Sequence, residues 1–550
     1  MPKLQINDFS GGLNTQDAQN LIKDNESPTH QNVWVYDKGT LTKRQGISTL
    51  ASSVGTLAAG MTTKCYHFTR ANDSSGVSRL YIQANNTNTD TNSGSFELDT
   101  AYATLASTVL NGCGRLFNNF LVSTQANLLS GGNATASNLK RWNPTDTNVD
   151  VPIAPQTSTG GLLATQCIFH DSLFFTGNSG NPSDTAILDE LHWSDTAKFT
   201  TFSKDNKVII GYGDGMTISR AIPYQDVLII FKSPLKSIVS SSTKVSTSFQ
   251  SSRIFKLIGT STQLQNIGYQ VVELPFDRAS GCCFGGTVCE WQGGLVFLTN
   301  TGVYLYDGNT FNLLTEKITN TIKNWYNFTN ATPNTFTDSN MKLADGFVYR
   351  NNYFLTVAES GSTGNTAADN KTNALFVFRP DGSMWRWNST LGLASISYDQ
   401  ADAVVASSVG GSAGSNTIAL YQLFSTSYVD GTSAIDASYT TKEFDLKAPV
   451  FFKNIHVDFR GQKSGILGVE YNVDQHGWVK RTVDMSSGYS DIKRSQRLMV
   501  GQSGRTIQFR LSNNQAYVNF EIYEIACEYT PLDPNAEITQ AKAINVTENS

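Results

Sequence analysis

One short motif in this sequence has the residue types of a nucleophilic catalytic site. Gly410-Gly411-Ser412-Ala413-Gly414 matches the pattern with which an esterase presents its serine on a strained turn between a strand and a helix. Here no helix follows, because the chain returns directly to an apolar strand at residues 418–424. The motif therefore indicates a flexible hairpin loop.

Two further loops have compositions that could bind ions. Asp90, Asn92 and Gly94, with Glu97 nearby, alternate oxygen ligands around a glycine as a calcium loop does, but they lack the spacing of its bidentate carboxylate. Residues 211–215, Gly-Tyr-Gly-Asp-Gly, are glycine-rich like a phosphate-binding loop, yet no lysine and no helix N-terminus accompany them. We interpret the first as a solvated loop and the second as a turn.

The histidines and cysteines do not form ligand or redox patterns. The six histidines are scattered singly, without the pairing that a metal site needs. His170-Asp171 would point to opposite faces of a strand, and Cys282-Cys283 lacks the spacer of a thioredoxin motif. The sequence therefore predicts no catalytic residue, no metal ligand and no cofactor, and reduced core thiols at the seven cysteines: Cys65, Cys113, Cys167, Cys282, Cys283, Cys289 and Cys527.

A carbohydrate site is the alternative that the side chains leave open. Paired carboxylates for glycosidic cleavage would converge only in three dimensions, so the sequence singles out no pair. Trp385 and Trp387 alternate on one strand and could stack on a sugar from one face. The strand around them is apolar throughout, which favours packing inside the fold.

Composition and charge restrict the class of protein. The formal net charge of −5 and the isoelectric point near 5.8 argue against a protein that grips phosphate backbones with clustered lysine and arginine. No apolar segment has the length of a secretory signal or of a membrane-spanning helix, so we predict synthesis in a cytoplasm and no membrane insertion.

Alternation of apolar and polar residues, bounded by Gly, Asn or Asp, recurs along most of the chain and predicts an all-β protein. One hairpin pattern repeats in degenerate form: an apolar or aromatic residue, two turn residues and an apolar strand. Repeated hairpins of this kind are typical of β-propeller blades. The four copies begin at Phe169-His170-Asp171, Pro223-Tyr224-Gln225-Asp226, Glu290-Trp291-Gln292-Gly293 and Arg350-Asn351-Asn352.

These patterns divide the chain into four parts. Residues 1–60 form an extended interface segment, and residues 61–430 form a β-propeller with loop insertions. Residues 431–534 carry longer strands, which predict a C-terminal β-sandwich, and 535–550 form a polar tail. Helical periodicity is confined to residues 314–326.

The chain resembles the β-propeller proteins that form the tail nozzle, or distal tail tube, of short-tailed bacteriophages. The opening Phe9-Ser10-Gly11-Gly12-Leu13-Asn14, followed by Leu41-Thr42-Lys43-Arg44-Gln45-Gly46, is similar to an N-terminal signature of such proteins. Leu191-His192-Trp193-Ser194-Asp195 and the stretch 297–308 are similar to blade patterns, and Gly504-Arg505-Thr506 belongs to the terminal sandwich.

The resemblance implies a structural virion protein, not an enzyme, that forms a homo-oligomeric and commonly six-fold nozzle ring in the tail. Its expected partners are sister copies, a portal adaptor, and a tail fibre, tailspike or plug, with DNA passing through without specific binding. The alternative is a carbohydrate-binding or depolymerising tail component that contacts the host surface. For the ring, the predicted interface residues are Phe9, Gly11, Gly12, Leu13, Asn14, Leu41, Lys43 and Arg44.

Overall fold

A computed structural model describes the chain from residue 2 to residue 532, and between residues 55 and 166 and residues 392 and 418 it describes the backbone alone. The fold is all-β, as predicted. In the part described, no helix is long and apolar enough to cross a membrane. The description omits 36–38, 59–62, 73–77, 87–93, 99–103, 109–114, 118–119, 125–138, 144–145, 151–161, 179–189, 197–205, 215, 235–251, 260–268, 278–284, 300, 323–343, 358–371, 394, 400–401, 411–414, 463 and 487–492.

The chain folds into two compact units, and their boundaries differ from those predicted. One unit is Arg44–Ile435, and the other combines Met1–Lys43 with Asp436–Ser550. The N-terminal segment is therefore not a separate element, because its strands hydrogen-bond to C-terminal strands. The strands of the segment are β1 (Lys3–Ile6), β2 (Gly12–Leu13), β3 (Glu26–Ser27), β4 (Thr29–Gln31), β5 (Val33–Val35) and β6 (Leu41–Lys43), and β1, β4 and β6 are the ones that pair with C-terminal strands.

The larger unit is a β-propeller. Its described strands form six four-stranded sheets and one six-stranded sheet, and we call these sheets blades 1 to 7 in chain order. The first strands of blades 1 to 4, and those of blades 5, 6, 7 and 1, contact one another in turn. Blades 4 and 5 share a buried apolar cluster, so the ring of blades is closed.

Blade 1 contains β8 (Thr63–Asn72), β9 (Ser78–Asn86), β10 (Gly94–Leu98) and β11 (Thr104–Thr108). Blade 2 contains β12 (Arg115–Phe117), β13 (Phe120–Thr124), β14 (Leu139–Asn143) and β15 (Asp146–Asp150). Blade 3 contains β16 (Leu162–Phe169), β17 (Ser172–Asn178), β18 (Glu190–Trp193) and β19 (Lys207–Ile209). Blade 4 contains β20 (Met216–Tyr224), β21 (Val227–Pro234), β22 (Arg253–Ile258) and β23 (Gln270–Glu273). Blade 5 contains β24 (Cys289–Trp291), β25 (Gly294–Leu298), β26 (Val303–Tyr306) and β27 (Phe311–Leu313).

Blade 6 contains β28 (Asp345–Tyr349), β29 (Asn352–Val357), β30 (Thr372–Phe378) and β31 (Met384–Leu393). Blade 7 contains β32 (Ser395–Asp399), β33 (Asp402–Gly410) and β34 (Ser415–Ser425), joined by β7 (Gly46–Ala58) from the start of the unit and by β35 (Val429–Asp430) and β36 (Ser433–Ala434). Short helical turns occur at Gly285–Thr287, Glu316–Ile318 and Thr319–Ile322. The last two lie in the predicted helix 314–326, of which residues 323–326 fall outside the description.

The repeated hairpin is confirmed in blades 3 to 6. In each, the two turn residues connect the first strand to the second by the tightest possible loop. His170 and Asp171 have positive φ angles of 46° and 55°, as do the turn residues of blades 5 and 6. His170 and Asp171 are therefore turn residues, and not the strand neighbours that the sequence analysis took them for.

The aromatic residue before each turn fastens its blade to the next one. The Tyr224 hydroxyl donates a 2.6 Å hydrogen bond to the carbonyl oxygen of Gly293, in the hairpin turn of blade 5. Trp291 Nε1 donates a 3.0 Å bond to the carbonyl of Asn351, in the turn of blade 6. The Tyr349 ring in turn stacks on Phe424 of blade 7. An aromatic residue recurs at this position because it spans the gap between blades.

The second strand of each hairpin is buried on both faces, as its sequence predicts. In β21, Leu228 and Ile230 pack with blade 3, whereas Ile229 and Phe231 pack with blade 5. All four side chains have no solvent exposure. Successive side chains of a strand point to opposite faces, so a continuous apolar run fills both interfaces between blades.

Residues 211–214 of the glycine-rich segment lie in the connection between blades 3 and 4 and form a turn, as predicted. The fully buried ammonium of Lys232 holds it by donating to the carbonyls of Ile210 and Gly211 and to Asp214 Oδ1. These donors point at carbonyl oxygens, so the loop encloses a cation of its own chain and does not present backbone N–H groups to a phosphate.

The propeller is closed by a strand from its own N-terminal end. β7 pairs with β34 in antiparallel register, which completes blade 7. Beside it the Arg44 guanidinium makes two bonds to the Asp430 carboxylate, of 2.9 and 2.6 Å. Both side chains are at most 5% exposed, and Arg44 also donates to the carbonyl of Asn388 in blade 6.

The smaller unit is built on a ten-stranded sheet with a buried apolar core, and this corresponds to the predicted sandwich. The 17-residue β38 pairs with both β41 and β42, and the 21-residue β41 continues along β39 and β37. The strands are β37 (Ala437–Thr440), β38 (Phe444–Arg460), β39 (Ile466–Val473), β40 (Val479–Asp484), β41 (Lys493–Asn513) and β42 (Glu521–Pro531).

Replacing Arg44 by methionine should strongly destabilise the propeller, because Asp430 would remain buried without its guanidinium. We expect a loss of about 3–5 kcal/mol in the free energy of unfolding, measured by denaturant titration. The control is Lys207→Met, which breaks an ion pair whose lysine is 46% exposed and should cost less than about 1 kcal/mol. Equal losses in both variants would show that the buried pair has no special role.

Glu190 should contribute acid-dependent stability to blade 3. Hydrogen bonds from His192 and Lys207 lower the pKa of this carboxyl below its ordinary value of 4.5. Because the folded pKa is the lower one, the contribution is present above about pH 4.5 and is lost as the pH falls through the lowered value. Melting temperatures from pH 7 to pH 3 should therefore fall less steeply in Glu190→Gln, and parallel curves would contradict this.

Candidate functional site

Several of the sequence motifs lie where the structure gives no geometry. Ser412 of the esterase-like string, Asp90 and Asn92 of the calcium-like loop, and the Cys282-Cys283 pair are outside the described residues. Within the part that is described, no group of three or more His, Cys, Asp and Glu side chains is arranged to hold a metal ion. Cys167, Cys289 and Cys527 are free thiols, and burial raises the pKa of Cys289 and of Cys527 to about 12.

The tryptophan pair of blade 6 is buried. Trp385 has no exposure and Trp387 has 4%, so neither ring can stack on a sugar. Trp385 Nε1 donates to Ser383 Oγ at 3.2 Å, and Trp387 packs against Phe354 and Phe424. The packing interpretation of this strand was therefore correct.

The structure places the predicted N-terminal interface residues within their own chain. All of them except the half-buried Gly11 are buried there. Phe9, Leu13 and Leu41 fill the core of the smaller unit, Asn14 binds Glu26, and Lys43 donates to Asn513 Oδ1 at 3.0 Å. Gly11 and Gly12 lie in the backbone pairing beside β3, and Arg44 binds Asp430 as described.

A better candidate is an outward face of the smaller unit, formed by five adjacent strands in the order β40, β39, β41, β37 and β4. Alternate residues of these strands point to the core, and the register aligns the others in two cross-strand rows, of which Gly468 and Thr440 are themselves buried. Every residue in these rows is polar, charged or glycine. We call this surface the polar face: Thr482, Gly468, Ser512, Ser438 and Gln31 in one row, and Lys480, Glu470, Arg510, Thr440 and Thr29 in the other.

The centre of the polar face is an ion pair with unused hydrogen-bonding capacity. Arg510 Nη1 donates to Glu470 Oε2 at 3.2 Å, and Arg510 Nε lies 3.4 Å from Thr440 Oγ1. Among the described residues, Arg510 Nη2 and Glu470 Oε1 make no hydrogen bond within the protein. The pair can therefore offer both a donor and an acceptor to a bound molecule.

One aromatic ring lies on this face. Trp478 directly precedes β40, and its partly exposed ring stacks with the Arg510 guanidinium, whose central carbon is 4.0 Å from the ring centroid. Such stacking fixes the plane of the ring and leaves the guanidinium edge free to donate hydrogen bonds.

The hairpin between β39 and β40 fixes the position of Trp478. Its turn residues Asp474 and Gln475 have positive φ angles of 47° and 58°. Asp474 Oδ1 accepts bonds from the backbone N–H groups of Arg505 and Thr506, and Asn472 Oδ1 accepts one from Gly477 N. The loop that carries Trp478 is therefore tied at both ends to the sheet.

This combination matches what a sugar ring requires. The faces of a sugar are apolar and stack on aromatic rings, while its hydroxyl groups need donors and acceptors at the edges. The sequence analysis did not single out Trp478. The available signal was a single tryptophan after a polar turn, Gln475-His476-Gly477, and before Lys480, but the neighbours Glu470 and Arg510 come from other strands.

The chain matches no protein-family model and no curated protein sequence. Among solved structures it is similar to a Trypanosoma rangeli sialidase at 8% identity, with 96% of this chain and 97% of that chain covered and a TM-score of 0.30. It is similar to a family 43 arabinoxylan arabinofuranohydrolase from Bacillus subtilis at 10% identity, with 88% of this chain and 99% of that chain covered and a TM-score of 0.25. The chain is also similar to an exo-beta-1,3-galactanase from Phanerochaete chrysosporium at 8% identity, with 66% of this chain and 94% of that chain covered and a TM-score of 0.24.

This comparison contradicts the prediction that the chain is not an enzyme. The proteins found are glycoside hydrolases and a sialidase. The prediction depended on the lack of a recognisable catalytic motif. Paired carboxylates of a glycosidase come together only in the fold, so a sequence scan does not exclude them.

Proposed function

We propose that this protein is a carbohydrate-binding component of a bacteriophage tail, and that it contacts a polysaccharide of the host surface through the polar face. The observation that carries the proposal is Trp478, held on a rigid hairpin and stacked on Arg510 beside Glu470. An aromatic plane next to unused donors and acceptors is suited to a polyhydroxylated ligand.

The dimensions of the polar face suit a chain of sugars. Five strands lie side by side, and with strand spacings of ~4.8 Å they span roughly 19 Å. Both rows present short hydroxyl and amide groups, among them Ser438, Thr29 and Gln31. Such a surface can bind several consecutive sugar units weakly and gain affinity by summing their contacts.

The tail context rests on the resemblance of the opening residues 9–14 and 41–46 to phage tail proteins. A ring of copies below a portal adaptor stays a prediction, as do the virion location and the protein partners. The burial of Phe9, Leu13 and Leu41 means that any such ring would use other, exposed residues of the segment. Leu21, which is 76% exposed, is one of them.

Replacing Trp478 by alanine should weaken polysaccharide binding at least about tenfold, equivalent to roughly 1.4 kcal/mol, because the stacking surface is lost. Binding of the full chain to immobilised bacterial lipopolysaccharides and capsular polysaccharides is the measurement. The matched control is Tyr517→Ala, which removes a 67% exposed aromatic ring of the same unit that belongs to neither row of the polar face. This control should bind like the unmodified protein.

Absence of binding to every polysaccharide, or equal binding by Trp478→Ala and the unmodified chain, would refute the proposed site. Size-exclusion profiles of the polysaccharides after incubation with the protein report whether binding is accompanied by chain shortening. Shortening would identify a depolymerising component, and unchanged chains a binding component.

A further inference from the structure

We infer that the Glu470–Arg510 pair of the polar face recognises a vicinal diol, that is, two hydroxyl groups on neighbouring carbons of an uncharged sugar ring. This inference rests on the proposed function and names the chemical group that its site binds. It is carried by the free donor and the free acceptor of the pair and by the rigidity with which both are held.

The guanidinium of Arg510 is held on three sides. In the register of the sheet, Arg510 lies directly between Glu470 of β39 and Thr440 of β37. Nη1 donates to Glu470 Oε2 at 3.2 Å, Nε lies 3.4 Å from the hydroxyl of the buried Thr440, and Trp478 covers one face of the group. A donor that is fixed in this way loses little conformational entropy when it binds a ligand.

The pair reaches solvent with one donor and one acceptor. The side chains of Arg510 and Glu470 are 34% and 18% exposed. Nη2 shares its carbon atom with the bonded Nη1, and Oε1 shares its carbon atom with the bonded Oε2, so both free atoms flank the same 3.2 Å bond. Within the described part of the chain, neither free atom has a hydrogen-bond partner. A ligand that satisfies both must accept from a nitrogen and donate to an oxygen a short distance away.

Two adjacent hydroxyl groups meet this requirement. Each hydroxyl can donate one hydrogen bond and accept others, so one accepts from Arg510 Nη2 while its neighbour donates to Glu470 Oε1. Both bonds involve a charged partner, which makes them stronger than bonds between neutral groups. A single hydroxyl would leave one of the two charged atoms to water. Because a sugar ring fixes the spacing of its hydroxyls, a rigid diol is matched to a rigid pair.

The charges around the pair balance. On the outward side of β39, of β40 and of the part of β41 that pairs with β39, Arg510 and Lys480 are positive and Glu470 and Asp484 are negative. The carboxylate of a uronic acid bound here would lie beside Glu470, and the ammonium of an amino sugar would lie beside Arg510. Like charges repel at such distances, so the site favours a neutral sugar.

The experiment compares sugars that differ by one hydroxyl group. The methyl pyranosides of glucose, galactose and mannose carry hydroxyls on three consecutive ring carbons. Their 3-deoxy counterparts keep the ring but have no two hydroxyls on adjacent carbons. Affinity for the full chain is measured by titration with ligand-observed NMR. We expect at least one parent glycoside to bind about tenfold more tightly than its 3-deoxy form, because the latter leaves a charged atom of the pair unpaired.

Glu470→Ala should reduce this preference to less than about twofold, because the acceptor is lost. Glu470→Gln keeps a neutral acceptor and should retain part of the preference. The matched control is Asp24→Ala, which removes the carboxylate of another exposed ion pair in the same unit. Asp24 is 78% exposed, pairs with Lys442 and belongs to neither row of the polar face. This control should retain the preference in full.

The outcomes separate this inference from the proposed function. Equal binding of parent and 3-deoxy glycosides, or tighter binding of methyl glucuronide or methyl glucosaminide than of the neutral parent, would overturn the diol assignment. A preference that survives in Glu470→Ala would overturn the assignment to this pair. In each of these cases, binding of the bacterial polysaccharides would leave the proposed function intact. Failure of every polysaccharide and every glycoside to bind would overturn both.

Discussion

The ion pair between Arg44 and Asp430 is the interaction on which the propeller depends most. A ring of blades has no free edge only if its first and last strands meet, and here β7 meets β34 next to this pair. The adjacent Lys43 belongs to the smaller unit and donates hydrogen bonds to Asn513 Oδ1 and to the carbonyl of Gln515. The side chains of Lys43 and Arg44 are thus buried in two different units. This explains why both are buried although the sequence around them is polar.

Local patterns of the fold could be predicted from the sequence, because turn chemistry and alternation act over a few residues. The hairpins at His170-Asp171 and Arg350-Asn351 are examples, with left-handed turn residues between apolar strands. Long-range pairings could not be predicted. Leu41 and Lys43 were assigned to an interface because nothing near them in sequence shows that β6 pairs with β42. Trp478 was overlooked for the same reason, since its partner Arg510 lies on another strand.

The polar face links the N-terminal segment to the function proposed for the C-terminal strands. β4, with Thr29 and Gln31, forms one side of the face by pairing with β37, and Gln508 below it is held by Gln19. The N-terminal residues therefore act as part of the scaffold of a binding surface. Their similarity to a phage signature and their burial are compatible, since a buried segment is constrained by packing as strongly as an interface.

The closure of the propeller by β7 also has a kinetic consequence. Arg44 and Asp430 are 386 residues apart in the chain, so the closing contact is among the most non-local in the molecule. Pairing of such distant segments is entropically costly and slow, and it comes after the formation of local hairpins. During synthesis on a ribosome, β7 emerges long before β34 exists and must wait with an unpaired edge. An edge of this kind invites pairing with a second nascent chain, so the early strand is the point at which this protein is most exposed to misassembly.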